Sequence, residues 1–302
     1  MIPQNNKIKV LAIVGPTATG KSDLAVLLAR KYNGEVISAD SRQVYRGLDI
    51  GSGKITKKEM RGIPHHMIDI ADPKRTYTVA QYQKKARKEL YSIVKRKRLP
   101  IICGGSGFYV QAIIDNLEFP NVPPNKKLRL QLAQQSPEEL YVALSSLDPK
   151  RAAVIDKHNS RRLVRALEIV NIQGCVPKQK QQESRFNVCS IGITFPKDIL
   201  HERIRIRLKK RFKKGMVREV ACLHEYGISW KQLESFGLEY RFIAEYLQKK
   251  MTLEEMKEKL EQAIRQFAKR QMTWFKRDTH IRWFDHEQQK EISARVWKFL
   301  SR

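Results

Sequence analysis

One loop constrains this chain more than any other feature of its sequence. Residues 8–14 are an apolar run with the pattern of a buried strand, and residues 21–32 carry three leucines on one side of a predicted helix. Between them stand Gly15, Pro16, Thr17, Ala18, Thr19, Gly20, Lys21 and Ser22, which fit G-x-x-x-x-G-K-[ST]. In this strand-to-helix context the pattern predicts a phosphate-binding loop.

The residue types of the loop suit that chemistry. Gly15 and Gly20 allow the backbone to wrap so that its N–H groups point at a phosphate, and the helix that follows adds its positive end. Lys21 is suited to neutralise terminal phosphate charge, and the Ser22 hydroxyl is suited to ligate Mg²⁺. Such a loop does not require ATP, because a di- or triphosphate or a pyrophosphate leaving group fits the same donors.

Strands and helices alternate along the first part of the chain. Residues 35–39 and 99–103 have the pattern of further strands, and Thr78 with Gln81 forms a capping box for a helix that runs to about residue 97. This alternation predicts an α/β fold in which a parallel sheet is flanked by helices on both faces.

The pattern changes after the proline-rich segment 116–125. Residues 126–174 are helical in pattern, residues 178–183 are predicted to form a loop, and residues 187–195 and 281–284 return to strand. We therefore expect a helical insertion at 118–185 within a core made of residues 1–117 and 186–302.

Asp40 follows the second predicted strand, at the edge of a parallel sheet where ligands bind. A carboxylate there suits a metal ligand, a general base or the N-cap of a following turn, and the residues alone favour none of the three. Residues 104–107, Gly-Gly-Ser-Gly, lie at the same edge. They are either a second set of backbone donors or a tight turn that requires glycine.

The charge balance points to a polyanionic partner. Lys and Arg total 59 against 31 Asp and Glu, a net charge of +28, which favours nucleic acid or an anionic membrane surface as partner. Residues 201–217 predict one basic helix with a buried apolar stripe, and a basic row made of Arg203, Arg207, Lys210 and Lys214 on another face. Arg207 is central in that row and is suited to bind a pyrophosphate bidentately.

The apolar runs, the first nine residues and the cysteines indicate the cellular compartment of the protein. No apolar run reaches the length of a membrane span, and residues 1–9 lack the pattern of a signal peptide. The four cysteines are far apart and form no CxxC pair, which is typical of free thiols in a reducing environment. We expect a cytoplasmic protein that does not bind a membrane.

Seven ordered blocks of sequence match a known family. They are GPTATGKS at 15–22, SADSRQVYRGLDIGSGK at 38–54, PHHMIDIADP at 64–73, GGSGFY at 104–109, RRLVRALE at 161–168, HERIRIRL at 201–208 and KRQMTWFKR at 269–277. On these blocks the chain resembles, over essentially its whole length, the bacterial tRNA dimethylallyltransferases of the IPP transferase family. The resemblance implies a P-loop NTPase-like core that transfers the dimethylallyl group of dimethylallyl pyrophosphate to N6 of the adenosine 3′ to the anticodon, at tRNA position 37.

The resemblance also implies the site. The loop at 15–22 binds the pyrophosphate with Mg²⁺, Ser22 is the protein ligand of the metal, Asp40 is the general base, and Lys21 and Arg207 act on the pyrophosphate. The residues implied to contact the tRNA anticodon arm are Asp40, Ser41, Arg42, Gln43, Ser106, Arg129, Arg161, Arg162, Leu163, Val164 and Arg165. The insertion is expected to swing over that arm in an enzyme that we take to be a monomer.

The chain departs from the family pattern at residues 236–241, Phe-Gly-Leu-Glu-Tyr-Arg, where many members have a Gly-Tyr pair followed by a basic residue.

Two other functions would account for some of the sequence features, namely the phosphate loop and the positive charge. A P-loop small-molecule kinase would explain the loop but not the charge. An RNA-binding NTPase without group transfer would explain both, but not the seven blocks.

Overall fold

The computed structural model describes residues 7–177 and 184–302, so the loop predicted at 178–183 lies outside the described residues. The chain divides into two compact units. One comprises Met1–Asn116 with Glu183–Arg302, and the other comprises Leu117–Gln182.

The first unit is built on a parallel sheet. Its strands in the described residues are β1 Ile8–Val14, β2 Gly34–Ser38, β3 His65–His66, β4 Leu99–Gly104, β5 Phe186–Thr194 and β6 Arg282–Asp285. They lie in the order β3-β2-β4-β1-β5-β6, and every neighbouring pair is parallel. Residues 10–14 of the central strand β1 are buried, as expected of a strand covered on both faces. The predicted α/β fold is confirmed.

Helices account for most of the remaining described residues. They are α1 Lys21–Lys31, α2 Lys57–Met60, α3 Val79–Lys95, α4 Gly107–Ile114, α5 Lys126–Leu132, α6 Pro137–Leu147, α7 Pro149–Ala152, α8 Ser160–Gln173, α9 Lys197–Lys213, α10 Met216–Glu225, α11 Trp230–Ser235, α12 Leu238–Leu247, α13 Leu253–Phe275 and α14 Gln289–Ser301. The capping box predicted for α3 is present, with Thr78 accepting from the Gln81 N–H and the Gln81 side chain accepting from the Thr78 N–H.

One sequence prediction about this unit was wrong in detail. The single helix expected at 201–217 is two helices, because Gly215 has a φ of 91°, a left-handed conformation that ends α9 and begins α10. His65 and His66, which the sequence left without a role, form the short edge strand β3 beside β2.

The second unit is helical and has its own core, in which Leu140, Leu144 and Leu163 are almost fully buried. A carboxylate, Glu168, is also buried there, with its side chain fully covered. It accepts hydrogen bonds from Arg129 Nε at 2.7 Å and Nη2 at 2.8 Å, from Arg165 Nη1 at 3.1 Å and from the Asn125 N–H at 2.9 Å.

The pKa of Glu168 shows that this network outweighs desolvation. Burial alone raises the pKa of a carboxyl, yet the hydrogen bonds from Arg129, the Asn125 N–H and Arg165 hold the pKa of Glu168 below its ordinary value. The ionised carboxylate therefore links α8 to α5 and to the segment that precedes α5.

We expect Glu168→Ala to destabilise the second unit by about 1–3 kcal/mol, because it removes the common acceptor of two arginines and one backbone N–H group. The figure lies below the range for fully buried ion pairs, since both arginines are partly exposed. Hydrogen exchange of the α5 and α8 amides would measure the loss. Glu138→Ala, at an exposed carboxylate of the same unit, is the matched control. Equal protection in the two variants would contradict the assignment.

Candidate active site

The loop after β1 has the backbone that the sequence pattern requires. Gly15 has a φ of 141°, and a Cβ added to it would lie 2.5 Å from the Ile193 carbonyl oxygen on β5, so glycine is needed for both reasons. Gly20 has a φ of 79° and immediately precedes α1. The loop therefore ends at the amino terminus of a helix, where backbone N–H groups and the helix dipole favour an anion.

Lys21 lies within this loop. Its Nζ donates to the Pro16 carbonyl oxygen and, at 3.4 Å, to Thr19 Oγ1. Burial lowers the pKa of the ammonium to about 8, and the positive charge of Arg207 acts in the same direction, whereas the Asp40 carboxylate opposes them. A lysine with this pKa is still mostly protonated at neutral pH and loses its proton in mildly alkaline solution.

The carboxyl ends of β2 and β4 lie against each other beside the loop. A Cβ on Gly104 would lie 2.1 Å from the Ala39 carbonyl oxygen, so the turn after β4 requires glycine at this point. Ser106 Oγ accepts from the Ser41 N–H at 3.0 Å, and the Ser106 N–H donates to Ala39 at 3.2 Å. Ser106 and Ser41, both predicted site residues, are therefore in direct contact.

Asp40 caps the turn that follows β2. Its Oδ1 accepts from the Arg42 N–H at 2.8 Å and from the Gln43 N–H at 3.4 Å. Within the described chain no hydrogen bond is made to its Oδ2. Capping was one of the three roles that the sequence left open. Because capping uses a single oxygen, it is compatible with a further role for the other.

Three arginines on α9 point at these turns. Arg203 Nε donates to the Ala18 carbonyl oxygen at 2.8 Å, and Arg207 contacts Thr17 Oγ1 at 3.3 Å and the Gly53 carbonyl oxygen at 3.4 Å. Arg211 is buried and donates to the Gly51 carbonyl oxygen at 3.2 Å and to Glu239 at 3.0 Å. The α9 face is therefore part of the site.

The arginines that contact these turns match the predicted basic row only in part. They continue from Arg207 to Arg211, whereas in the described chain Lys210 and Lys214, which the sequence placed in the basic row, make no hydrogen bond to these turns. The spacing of four residues from Arg203 to Arg207 to Arg211 keeps all three on one helix face. Burial, reinforced by the charge of Arg211, lowers the pKa of Arg207 to about 10, so its guanidinium remains charged at neutral pH.

The turn at 49–53 was not singled out as a site by the sequence, yet it receives contacts from several helices. The Glu219 carboxylate on α10 accepts from the N–H groups of Asp49, Ile50 and Gly51, at 3.0, 2.6 and 2.9 Å. Tyr240 OH donates to Glu219 at 3.0 Å and accepts from the Ser52 N–H at 3.1 Å.

These contacts also give the divergent segment 236–241 a structural place. Its Tyr240 is among the largest fully buried side chains of the protein, and its Glu239 pairs with Arg211. The segment therefore supports the turn at 49–53 through side chains on the first turn of α12.

The predicted tRNA-contacting residues of the second unit have different surroundings. Arg161 and Arg162 are exposed on the first turn of α8, whereas the Leu163 side chain is fully buried in the core of that unit and Val164 is partly buried. Arg129 and Arg165 are engaged with Glu168. Within this set, only Arg161 and Arg162 present unengaged cations to solvent in the described chain.

In the described ranges, no three His, Cys, Asp or Glu side chains are grouped so as to hold a metal ion. The adjacent histidines serve the fold, with His66 Nε2 lying 2.6 Å from Glu35 and His65 Nδ1 lying 2.9 Å from the Ile63 carbonyl oxygen. None of the described helices is both long and apolar enough to cross a membrane.

Comparison with known proteins identifies the family. The family model described as IPP transferase matches residues 43–278. A tRNA dimethylallyltransferase of Anoxybacillus flavithermus is 39% identical over 297 residues, covering 97% of this chain and 95% of the relative. The crystal structure of a tRNA isopentenylpyrophosphate transferase from Bacillus halodurans superposes with a TM-score of 0.73 at 37% identity, covering 98% of this chain and 99% of the other.

A more distant structure has the same fold. It is a eukaryotic dimethylallyltransferase captured acting on tRNA, with a TM-score of 0.80 at 28% identity, covering 92% of this chain and 74% of the other. The resemblance carried by the seven sequence blocks is thus confirmed over nearly the full length. The chain belongs to the IPP transferase family.

Proposed function

We propose that this protein is a tRNA dimethylallyltransferase, which transfers the dimethylallyl group of dimethylallyl pyrophosphate to N6 of the adenosine 3′ to the anticodon and releases pyrophosphate. The observation that carries the proposal is the meeting of the phosphate loop, Asp40 and Arg207 at one sheet edge, in a chain of this family. The net charge of +28 supports RNA as the acceptor.

The donor pyrophosphate is bound by the loop and by α9. The loop offers N–H groups at the start of α1, and two cations contact the loop, Lys21 at Thr19 and Arg207 at Thr17. Burial lowers the pKa of both groups, the charge of Arg207 lowers that of Lys21 further, and the charge of Arg211 lowers that of Arg207 further, so a bound pyrophosphate would stabilise the charged forms. This part of the site does not require a nucleoside triphosphate.

The residues of the loop also fit Mg²⁺. Ser22 is an exposed residue on the first turn of α1, directly after Lys21. Mg²⁺ commonly takes one or two protein ligands and completes its octahedron with water and substrate phosphate oxygens, so the absence of a metal-ligand cluster among the described residues is compatible with it. When bound, the ion would neutralise charge on the pyrophosphate.

The reaction is a substitution at the first carbon of the dimethylallyl group. The N6 lone pair of adenosine forms the new C–N bond while the C–O bond breaks, and that electron pair leaves on the pyrophosphate oxygen. The Asp40 carboxylate accepts the proton lost from N6, and its Oδ2 is the free oxygen for this role. Lys21 and Arg207 stabilise the charge that builds on the leaving pyrophosphate.

The target adenosine must leave its base stack to reach this edge. We propose that Ser41, Arg42, Gln43 and Ser106 contact the tRNA beside Asp40, and that the second unit, predicted as a swinging insertion at 118–185, binds the anticodon arm.

In the second unit, Arg161 and Arg162 are suited to phosphate contacts because they are exposed. Arg129, Arg165 and Leu163 would act mainly by shaping the α8 surface, since they are engaged within the unit. Val164, whose side chain is partly buried, would also help to shape that surface.

We propose that the enzyme works as a cytoplasmic monomer.

Incubation of the protein with Mg²⁺, dimethylallyl pyrophosphate and unmodified tRNA, followed by nucleoside mass spectrometry, tests the function directly. We expect adenosine to gain the mass of one dimethylallyl group. A tRNA with guanosine at the target position is the negative control. Hydrolysis of ATP without any nucleoside change would instead favour the NTPase function, and phosphorylation of a small molecule would favour a kinase.

We expect Asp40→Asn to lower kcat by about 10²- to 10⁴-fold with little change in tRNA affinity, because the amide keeps the size and the turn-capping oxygen but is not a base. The asparagine change is preferable to alanine, since Asp40 also holds the Arg42 N–H. Single-turnover kinetics and filter binding separate the two effects. Asp198→Asn, at an exposed carboxylate on α9, is the control. Lost tRNA binding with intact turnover would overturn the role of Asp40.

The pKa of Lys21 predicts how pyrophosphate binding depends on pH. The free protein holds this ammonium at a pKa of about 8, so above that pH a bound pyrophosphate must bring a proton with it. We expect the Kd of a dimethylallyl thiopyrophosphate analogue to be flat near neutrality and to rise, approaching tenfold for each pH unit, above about pH 8.

Calorimetric titration of the analogue between about pH 7 and about pH 9.5 would measure this, since the analogue itself is fully ionised over most of that range. Lys21→Arg keeps its charge throughout and should abolish the rise, whatever its absolute affinity. A wild-type Kd that stays constant to the upper limit would contradict the assignment.

A further inference from the structure

A buried glutamine on the long helix α13 connects two of the turns that form the site. Gln271 has an exposed fraction of only 7% and lies 254 residues from its first partner along the chain. Its Oε1 accepts from the Thr17 N–H at 2.9 Å, and its Nε2 donates to the Gly105 carbonyl oxygen at 2.8 Å. One side-chain amide therefore bridges the phosphate loop and the turn after β4.

The two bonds use the amide in the orientation that both partners require. The N–H group of Thr17 needs an acceptor and the carbonyl of Gly105 needs a donor, and among uncharged side chains of this length only glutamine supplies one of each on the same group. A carboxylate would leave Gly105 without a donor, and an aliphatic side chain would leave both groups unpaired. The fit is also tight, because a Cβ on Gly105 would lie 2.4 Å from Gln271 Nε2.

The bridge connects the donor side of the proposed reaction, at the phosphate loop, with the acceptor side, at the turn after β4. On the donor side, Thr17 is held through its backbone by Gln271 and through its hydroxyl by Arg207, so its N–H group is not among those free to bind pyrophosphate. On the acceptor side, Gly105 is followed in the chain by Ser106, whose Oγ accepts a hydrogen bond from the Ser41 N–H, and Ser41 directly follows Asp40. The phosphate loop and Asp40 are thus connected by a short series of hydrogen bonds and peptide links that passes through the Gln271 amide.

The helix that carries the amide is itself seated on the same turn. Trp274, one turn after Gln271, packs so closely over Gly107 that a Cβ there would lie 2.2 Å from its Cδ1. The capping box of Thr252 and Glu255 fixes the other end of α13. Gln271 therefore projects from an element that is anchored at both ends, which is how a positioning group is held in register.

We propose that Gln271 is a positioning residue for dimethylallyl transfer, which sets the spacing between the pyrophosphate loop and the turn that carries the acceptor-side residues. This rests on the proposed function for the reaction, but the bridge itself does not. The amide touches neither substrate in this role. It keeps the donor carbon and the base in attack geometry, where a displacement of about 1 Å costs on the order of 10²-fold in rate.

Two substitutions test the proposal. Gln271→Glu keeps the acceptor and removes the donor, and Gln271→Met keeps the length and removes both. We expect each to lower kcat about 10- to 100-fold, while the Kd of the thiopyrophosphate analogue and the Kd of tRNA change by less than about threefold. Gln266→Met, at an exposed glutamine on the same helix, should leave kcat and both Kd values unchanged.

Three readouts keep a structural role and the proposed role apart. A kcat that falls only in proportion to the folded fraction, measured by thermal unfolding, would overturn the proposal, as would raised Kd values with unchanged kcat. Hydrogen exchange at the Thr17 N–H does not need the reaction: we expect it to quicken in Gln271→Met and to stay unchanged in Gln266→Met. If the wild-type protein transfers no prenyl group, the proposed function fails, while faster exchange at Thr17 still supports the bridge and unchanged exchange overturns it.

Discussion

Positive charge is concentrated where the phosphate loop meets α9, and much of the surrounding structure serves to hold it there. Lys21 and Arg207 are both desolvated, and a neighbouring arginine further disfavours each charged form: Arg207 acts on Lys21, and Arg211 acts on Arg207. Backbone carbonyl oxygens accept hydrogen bonds from both groups, at Pro16 for the lysine and at Gly53 for the arginine. Carbonyl dipoles compensate cations only in part, so the arrangement retains an affinity for a multiply charged anion.

The turn at 49–53 shows how the fold maintains this arrangement. Its carbonyls face the arginines of α9, and its N–H groups face the carboxylate of Glu219 on the other side. Because the turn is polarised from both directions, the carbonyl oxygens cannot rotate away from the arginines without breaking the bonds to Glu219. Tyr240 closes the network from the divergent segment, which accounts for that segment without giving it a role in catalysis.

The second unit illustrates that a basic residue in a tRNA-binding family need not be a ligand for phosphate. Arg129 and Arg165 satisfy one buried carboxylate, so removing either would change the α8 surface as well as the charge. Arg161 and Arg162, in the same set of proposed tRNA-contacting residues, are exposed. Under the proposed function, substitutions in this set are therefore expected to act in two ways, structurally at positions 129 and 165 and electrostatically at positions 161 and 162.

Local pattern in the sequence determined the phosphate loop, the alternation of strands and helices and the capping box of α3, because each depends on residues only a few positions apart, and the family followed from several such local blocks in order. The break at Gly215 was also local, but an apolar stripe on both sides of it obscured the signal. Tertiary structure alone decided which cations belong to the site, since Arg211 is distinguished from Lys210 only by the packing of α9 on the turn at 49–53. The same holds for the contact of Glu168 with Arg129 and that of Gln271 with Thr17, which join residues 39 and 254 positions apart in the chain. A buried polar side chain is defined by the groups that it satisfies, and no periodicity in the sequence records where the fold will bring those groups.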